Sequence, residues 1–159
     1  MRYTTLFLSI LCLFSETKAL DLSNKTVNPG VDTTIVIIKG NTVNPRFEPA
    51  VVHVQPGNII RFIVDEGLHT VTAYHPDNRR PLRIPKEAES FDSGPLQAGQ
   101  FWHLKITHEG TYDYFCLPHE SMGHVGRIIA GDKSIIPSYN DEHLSDIVKE
   151  KYLELSSQK

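Results

Sequence analysis

Cysteine, methionine and tryptophan are scarce in this chain, and neither sign of charge dominates it. Of 159 residues, two are Cys, two are Met and one is Trp, and the formal net charge is −3. That mild negative balance lacks the basic surface that nucleic-acid binding draws on, so no nucleic acid is expected as a partner. No internal repeat or low-complexity tract is present, which excludes solenoid and linker architectures. Long apolar runs are missing too. The longest, Leu6 to Phe14 (LFLSILCLF), falls short of the ~20 residues a spanning helix needs, so no membrane span is expected.

That short run has a different use. Arg2 precedes it, and Ser15 to Ala19 (SETKA) follows with a small residue last and Thr17 two positions earlier. This is the layout of a secretory signal peptide over residues 1–19, cleaved after Ala19. A lipid-modified Cys12 is the competing reading, but bulky Leu11 stands where such signals carry a small residue. A soluble periplasmic or secreted product is expected. Arg2, Lys18 and Glu16 leave with the signal, a net +1, which takes the whole-chain −3 to −4. The remaining ~140 residues have the size of one domain.

The cysteine shortage then becomes informative. With Cys12 removed, Cys116 is alone and cannot form an internal disulfide. A bare thiol in an oxidising compartment is a liability, so Cys116 is expected to be buried, reactive or bound to a metal.

What the chain does hold is a series of short β-type runs broken by turn residues. After a polar arm over residues 20–31 come Thr33 to Lys39 (TTIVIIK) and Ala50 to Val54 (AVVHV). A Gln55-Pro56-Gly57-Asn58 turn leads into Ile59 to Val64 (IIRFIV) and His69 to Tyr74 (HTVTAY). Phe101 to Thr107, Gly110 to Phe115 and Gly126 to Ala130 complete the set. Short strands at such spacing indicate an all-β sandwich or barrel. Pro76 to Pro95, rich in proline and charge, reads as a long surface excursion. Pro137 ends the extended part. Asp141 to Leu155 then places Leu144, Ile147, Val148, Tyr152 and Leu155 at helical spacing, with Asn140 or Asp141 as cap, and is expected to pack on the sandwich. The expected organisation is a β domain over 32–131 and a helical extension over 132–159.

The chemistry concentrates in Tyr112 to Ile128 (YDYFCLPHESMGHVGRI). Cys116 ends a strand, His119 follows three residues later and His124 eight residues later, with turn-forming Pro118 and Gly123 between. One loop thereby brings a thiolate and one or two imidazoles to a common point, and His69 can supply another from a second strand end. A soft thiolate with two imidazoles and a weak fourth ligand selects copper and suits electron transfer. A structural zinc site wants more thiolates or a paired histidine spacing, and neither is visible.

The same segment resembles the ligand loop of the plastocyanin and pseudoazurin branch of the cupredoxins, which reads Cys-x-Pro-His, four residues, then Met-Val-Gly. Phe47-Glu48-Pro49, Pro56-Gly57-Asn58 and His69-Thr70-Val71 are similar to that family in the same order, and the likeness runs from about Ile35 to Gly131. It implies a Greek-key β-sandwich with a C-terminal helix, and one type 1 copper per chain held by His69, Cys116 and His119. One position departs from the family. His124 stands where this branch carries its axial methionine, and would favour Cu(II) and a low potential. Met122 satisfies the shorter Cys-x-x-His-x-x-Met spacing of amicyanin-like members and is the alternative axial ligand.

The resemblance further implies a monomeric electron carrier rather than an enzyme. Its redox partner would dock on an apolar patch at Leu117, Pro118 and Met122 around His119. Two rival functions stay open: a periplasmic copper-tolerance protein that sequesters or oxidises Cu(I), and a small oxidase or reductase with an open site. The default for His53, His103 and His108 is a surface role. His75 and His143 are candidates for a second metal site.

Overall fold

The computed structural model describes residues 30–131 and 139–157, and among them are ten strands and one α-helix. The signal segment 1–19, nearly all of the arm and Pro137 lie outside the described residues. The strands are β1 (Thr33–Lys39), β2 (Arg46–Glu48), β3 (Val51–Val54), β4 (Ile59–Val64), β5 (Leu68–His69), β6 (Thr72–Ala73), β7 (Leu96–Gln97), β8 (Phe101–Lys105), β9 (Gly110–Phe115) and β10 (Val125–Ala130). The helix α1 spans Asp146–Ser157, and short 3₁₀ turns cover Pro76–Asn78 and Leu117–Met122.

Two four-stranded sheets form a sandwich, in the orders β2-β1-β4-β8 and β3-β10-β9-β6, with β5 and β7 as a separate pair. Each sheet contains one parallel pairing, β1 with β4 and β3 with β10, among antiparallel ones. The Gln55–Asn58 turn carries the chain from β3 in one sheet to β4 in the other, closed by Asn58 N–H donating to the Gln55 carbonyl at 3.0 Å. This is the Greek-key arrangement of a cupredoxin-like sandwich.

Strand periodicity decides what meets inside. Ile60, Phe62 and Val64 of β4 and Val36 and Ile38 of β1 face Val52, Val54, Tyr112, Tyr114, Ile128 and Ala130 of the opposing sheet, forming the main core. β9 and β10 are buried almost throughout, because α1 covers their other face. There Leu144, Val148, Tyr152 and Leu155 pack with Tyr74, Phe115 and Val125 into a second core. The expected packing of the helix on the sandwich is what the structure has.

Beneath that helix lies a buried ionic cluster. Asp113, with no exposed surface, receives Arg83 Nε at 2.9 Å, Arg127 Nε at 2.7 Å and Arg127 Nη2 at 3.0 Å. Arg83 also pairs with Asp141, and Arg127 Nη1 donates to Ser156 Oγ at 2.8 Å.

Four local expectations are corrected. The helix begins at Asp146, and Ser145, not Asn140 or Asp141, stands at its cap, with Val148 N–H donating to Ser145 Oγ at 3.4 Å. Asp141 is taken by Arg83, and Asn140 Oδ1 accepts from Glu142 N–H at 2.8 Å. Ile147 lies off the buried stripe and is 53% exposed. Residues 76–95 are not merely a surface excursion, since Arg83, Ile84, Ala88 and Phe91 from that stretch are buried. The run His69 to Tyr74 is not one strand. It breaks between β5 and β6 because Val71 N–H turns to Ser93 Oγ at 2.9 Å and Thr70 N–H turns to the Cys116 sulfur at 3.4 Å.

Candidate metal centre

The loop between β9 and β10 is built to present its side chains to one point. β9 ends at Phe115, and Cys116 opens the 3₁₀ turn Leu117–Met122 in extended conformation, with Pro118 preset for the first turn. Gly123 ends that turn at φ 78°, a left-handed conformation that glycine adopts without steric cost. The loop is tied across its base by Cys116 N–H to the His124 carbonyl at 3.0 Å, and His119 N–H to the Cys116 carbonyl at 3.0 Å. On its outer side Glu120 receives Tyr74 OH at 2.9 Å and Arg80 Nη2 at 2.6 Å, which anchors the turn to the segment after β6.

One donor atom from each of His69, Cys116, His119 and His124 comes within 4.8 Å of the others. Cys116 Sγ is 3.5 Å from His69 Nδ1 and 3.4 Å from His119 Nδ1. His69, Cys116 and His124 have no exposed surface, whereas His119 retains 8%. Met122 is 43% exposed at the end of the 3₁₀ turn.

The protonation pattern suits a cation at this point. His69 Nε2 faces two carbonyl oxygens, Gly40 at 2.8 Å and Glu66 at 2.9 Å. Carbonyls only accept, so Nε2 carries the proton and Nδ1 presents a lone pair toward Cys116. Among the described residues, neither nitrogen of buried His124 has a hydrogen-bond partner. Burial pushes the His124 pKa down to about 3, helped by the His69 and His119 charges; the Arg46 backbone opposes this only weakly, without a hydrogen bond of good geometry. Burial also lowers His119, with His69 adding to the effect. The Cys116 thiol is raised to about 11 by burial, against the opposing hydrogen bond from Thr70. Without a cation the pocket therefore holds a neutral thiol at Cys116 and, at His124, a neutral imidazole with both nitrogens unpartnered among the described residues. A soft cation would satisfy all of these donors together, and one thiolate with imidazoles is the set suited to copper.

The four sequence-derived candidates from Cys116, His119, His124 and His69 thus converge. His75 and His143 do not join them. His75 Nδ1 accepts from Asp77 N–H at 3.2 Å, and among the described residues no second group of three or more His, Cys, Asp or Glu donors comes together. Sequence reasoning missed the supporting groups: the Gly40 and Glu66 carbonyls, and the Thr70 hydroxyl that accepts from Leu117 N–H at 2.8 Å. The carbonyls leave no mark in a sequence, because any residue can supply one.

Residues 34–131 match the family of copper binding proteins, the plastocyanin/azurin family. Pseudoazurin of Paracoccus pantotrophus is 34% identical over 94 residues, covering 59% of this chain and 59% of the relative. Plastocyanin of Chlamydomonas reinhardtii is 29% identical over 84 residues, covering 53% of this chain and 57% of the relative. The chain therefore spans less than two thirds of the length of these curated relatives. The crystal structure of pseudoazurin from Methylobacterium extorquens AM1 superposes with a TM-score of 0.63 at 24% identity, covering 80% of this chain and 98% of that one, which establishes the shared fold.

Proposed function

Since the chain belongs to the plastocyanin/azurin family of copper-binding proteins, we propose that it is an exported carrier of single electrons whose copper is held by His69, Cys116, His119 and His124. Bound copper supplies a one-electron couple between Cu(I) and Cu(II). The protein's contribution is to fix the donors in advance. The Gly40 and Glu66 carbonyls orient His69, and the cross-loop hydrogen bonds hold Cys116 and His119 at their separation. Donors that do not move between oxidation states keep the reorganisation cost of transfer low.

His124, rather than Met122, is assigned as the fourth donor. The observation that carries this choice is a fully buried imidazole with two unpartnered nitrogens beside Cys116, against a Met122 that is 43% exposed. A nitrogen donor in place of a thioether favours Cu(II) and lowers the potential. His119 is the donor nearest solvent, and Leu117 (56% exposed), Pro118 and Met122 surround it. A redox partner docking on this small apolar patch would exchange electrons through the His119 edge, in the manner of transient redox encounters. The carrier is taken as a monomer, delivered to the periplasm or beyond by cleavage after Ala19. No helix among the described residues is long and apolar enough to cross a membrane.

The deciding experiment is the visible spectrum of the Cu(II)-loaded protein alongside His124→Met and Met122→Leu. An intense thiolate band that turns bluer in His124→Met and ignores Met122→Leu supports the assignment. A band that responds only to Met122→Leu overturns it. The nitrogen-rich donor set also favours a second reading, copper tolerance by sequestering or oxidising Cu(I). That reading requires more than one copper per chain or catalytic Cu(I) oxidation, both measurable on the same preparation.

A further inference from the structure

Thr70 does more than follow His69. Its N–H donates to Cys116 Sγ at 3.4 Å, and its Oγ1 accepts from Leu117 N–H at 2.8 Å, so one residue clasps both sides of the Cys116–Leu117 peptide. The same hydroxyl lies 2.8 Å from Thr72 Oγ1, and Thr72 Oγ1 donates to Asp92 Oδ1 at 3.0 Å. Thr70 and Thr72 are both buried, and Asp92 sits at the surface end of the row, where Oδ1 also accepts from Gly94 N–H at 3.1 Å.

Proton counting gives the row one direction. A carboxylate accepts and does not donate, and each hydroxyl has a single proton. Thr72 therefore spends its proton on Asp92, Thr70 spends its own on Thr72, and the Thr70 oxygen is left facing Leu117 N–H with lone pairs alone. Without the carboxylate, Thr72 is free to turn its proton toward Thr70, and the Thr70 hydroxyl then loses Thr72 as the acceptor for its own proton and no longer has its oxygen polarised toward Leu117 N–H. Hydrogen bonds in such a row polarise one another, so the terminal acceptor strengthens the bond at the far end.

We propose that Asp92 is a positioning residue for the ligand loop: acting through Thr72 and Thr70, it pins the Cys116–Leu117 peptide and keeps the Thr70 N–H on the sulfur. Asp92 lies on the stretch after Pro76 that sequence reading treats as surface, and it touches none of the four donors. Its effect on the loop does not depend on the metal. Its effect on the sulfur's electronic character rests on the copper assignment above.

The test begins with the metal-free full-length protein. Amide hydrogen exchange at Leu117 is expected to quicken about tenfold in Asp92→Ala and in Thr72→Val, the worth of roughly one hydrogen bond, while Phe62 in β4 exchanges as before. Thr72→Ser restores the hydroxyl, and Asp92→Asn keeps a carbonyl oxygen in place; both are expected within about twofold of the parent. If Asp92→Ala does not fold, the contrast between Thr72→Val and Thr72→Ser decides. With Cu(II) added, the sulfur-to-copper band is expected to move in Thr72→Val and not in Thr72→Ser. Parent-like exchange at Leu117 in both disrupted variants overturns the proposal. So does a response to Asp92→Ala that Thr72→Val does not share, which would mark a through-space charge effect. Quickened exchange in a protein that shows no sulfur-to-copper band at all would uphold the role of Asp92 in the loop and refute the copper assignment instead.

Discussion

Replacing His124 with methionine separates what that residue costs the fold from what it gives the metal. In the metal-free protein the imidazole is fully buried, and both nitrogens lack partners. A buried polar group left unsatisfied costs about 1–3 kcal/mol. Against this stands the contact with Phe47, whose ring centroid is 4.2 Å away; losing it forfeits about 0.5–1.5 kcal/mol. The thioether fills similar space with no donor to satisfy. The net expectation is that metal-free His124→Met is more stable than the parent by about 1 kcal/mol, or ~3 °C in melting temperature for a domain of this size. Cu(II) should reverse the order. A ligand stabilises the native state in proportion to its affinity, so the parent, with four strong donors, gains more from saturating Cu(II) than the variant does. Scanning calorimetry with chelator and then with Cu(II) measures both halves. A metal-free variant less stable than the parent would refute the claim that the nitrogens are unsatisfied. Equal stabilisation of both proteins by Cu(II) would refute the claim that His124 is a donor.

Three more outcomes are expected. Asp113→Ala leaves the Arg83 and Arg127 guanidinium groups buried without their carboxylate and should cost about 3–5 kcal/mol in urea unfolding, whereas Asp141→Asn, at the exposed end of the same cluster, should cost under about 1 kcal/mol. Burial and the neighbouring His69 and His119 charges hold His124 at about 3 in the folded metal-free protein, against an ordinary 6.5. The unfolded chain therefore takes up a proton near 6.5 that the folded one refuses until about 3. Metal-free stability should be complete above pH 6.5 and fall toward pH 3, by at most about 5 kcal/mol, and His124→Met should flatten that slope in urea midpoints. Gly126→Ala should destabilise by about 1–3 kcal/mol in thermal melts, because the added Cβ would clash with the Tyr114 ring in the core.

The candidate site was legible because three of its four donors lie in one short loop whose punctuation is local. Pro118 and Gly123 mark the turn, and β9, expected over Gly110 to Phe115, ends there as the structure has it. The features that escaped depend on partners distant in sequence. Asp141 was a sound cap by local rules, but Arg83 holds its carboxylate, so Ser145 takes the role. Arg83 within a proline-rich, charged stretch reads as exposed, and it is buried because Asp113 meets it from another strand. Thr70 belonged to a plausible strand, yet its amide serves the sulfur of Cys116, 46 positions away. Local pattern reveals a residue's inclination. It does not reveal which long-range acceptor claims it.

The pairing of β3 with β10 also dictates how this protein must be made. Among the described residues β3 has β10 as its sole partner in the sheet, beginning with Val51 opposite Arg127. Synthesis at about 5–20 residues per second leaves β3 without that neighbour for roughly 4–15 s after it emerges. Its apolar Val52 and Val54 must be kept from other chains throughout that interval. β10 is also the strand that closes the Cys116–His124 loop, so the ligand pocket takes shape at the same late moment that β3 is covered. A nascent chain halted before residue 125 therefore has neither a finished second sheet nor a pocket. Vectorial folding gives this molecule no early intermediate competent to hold its metal.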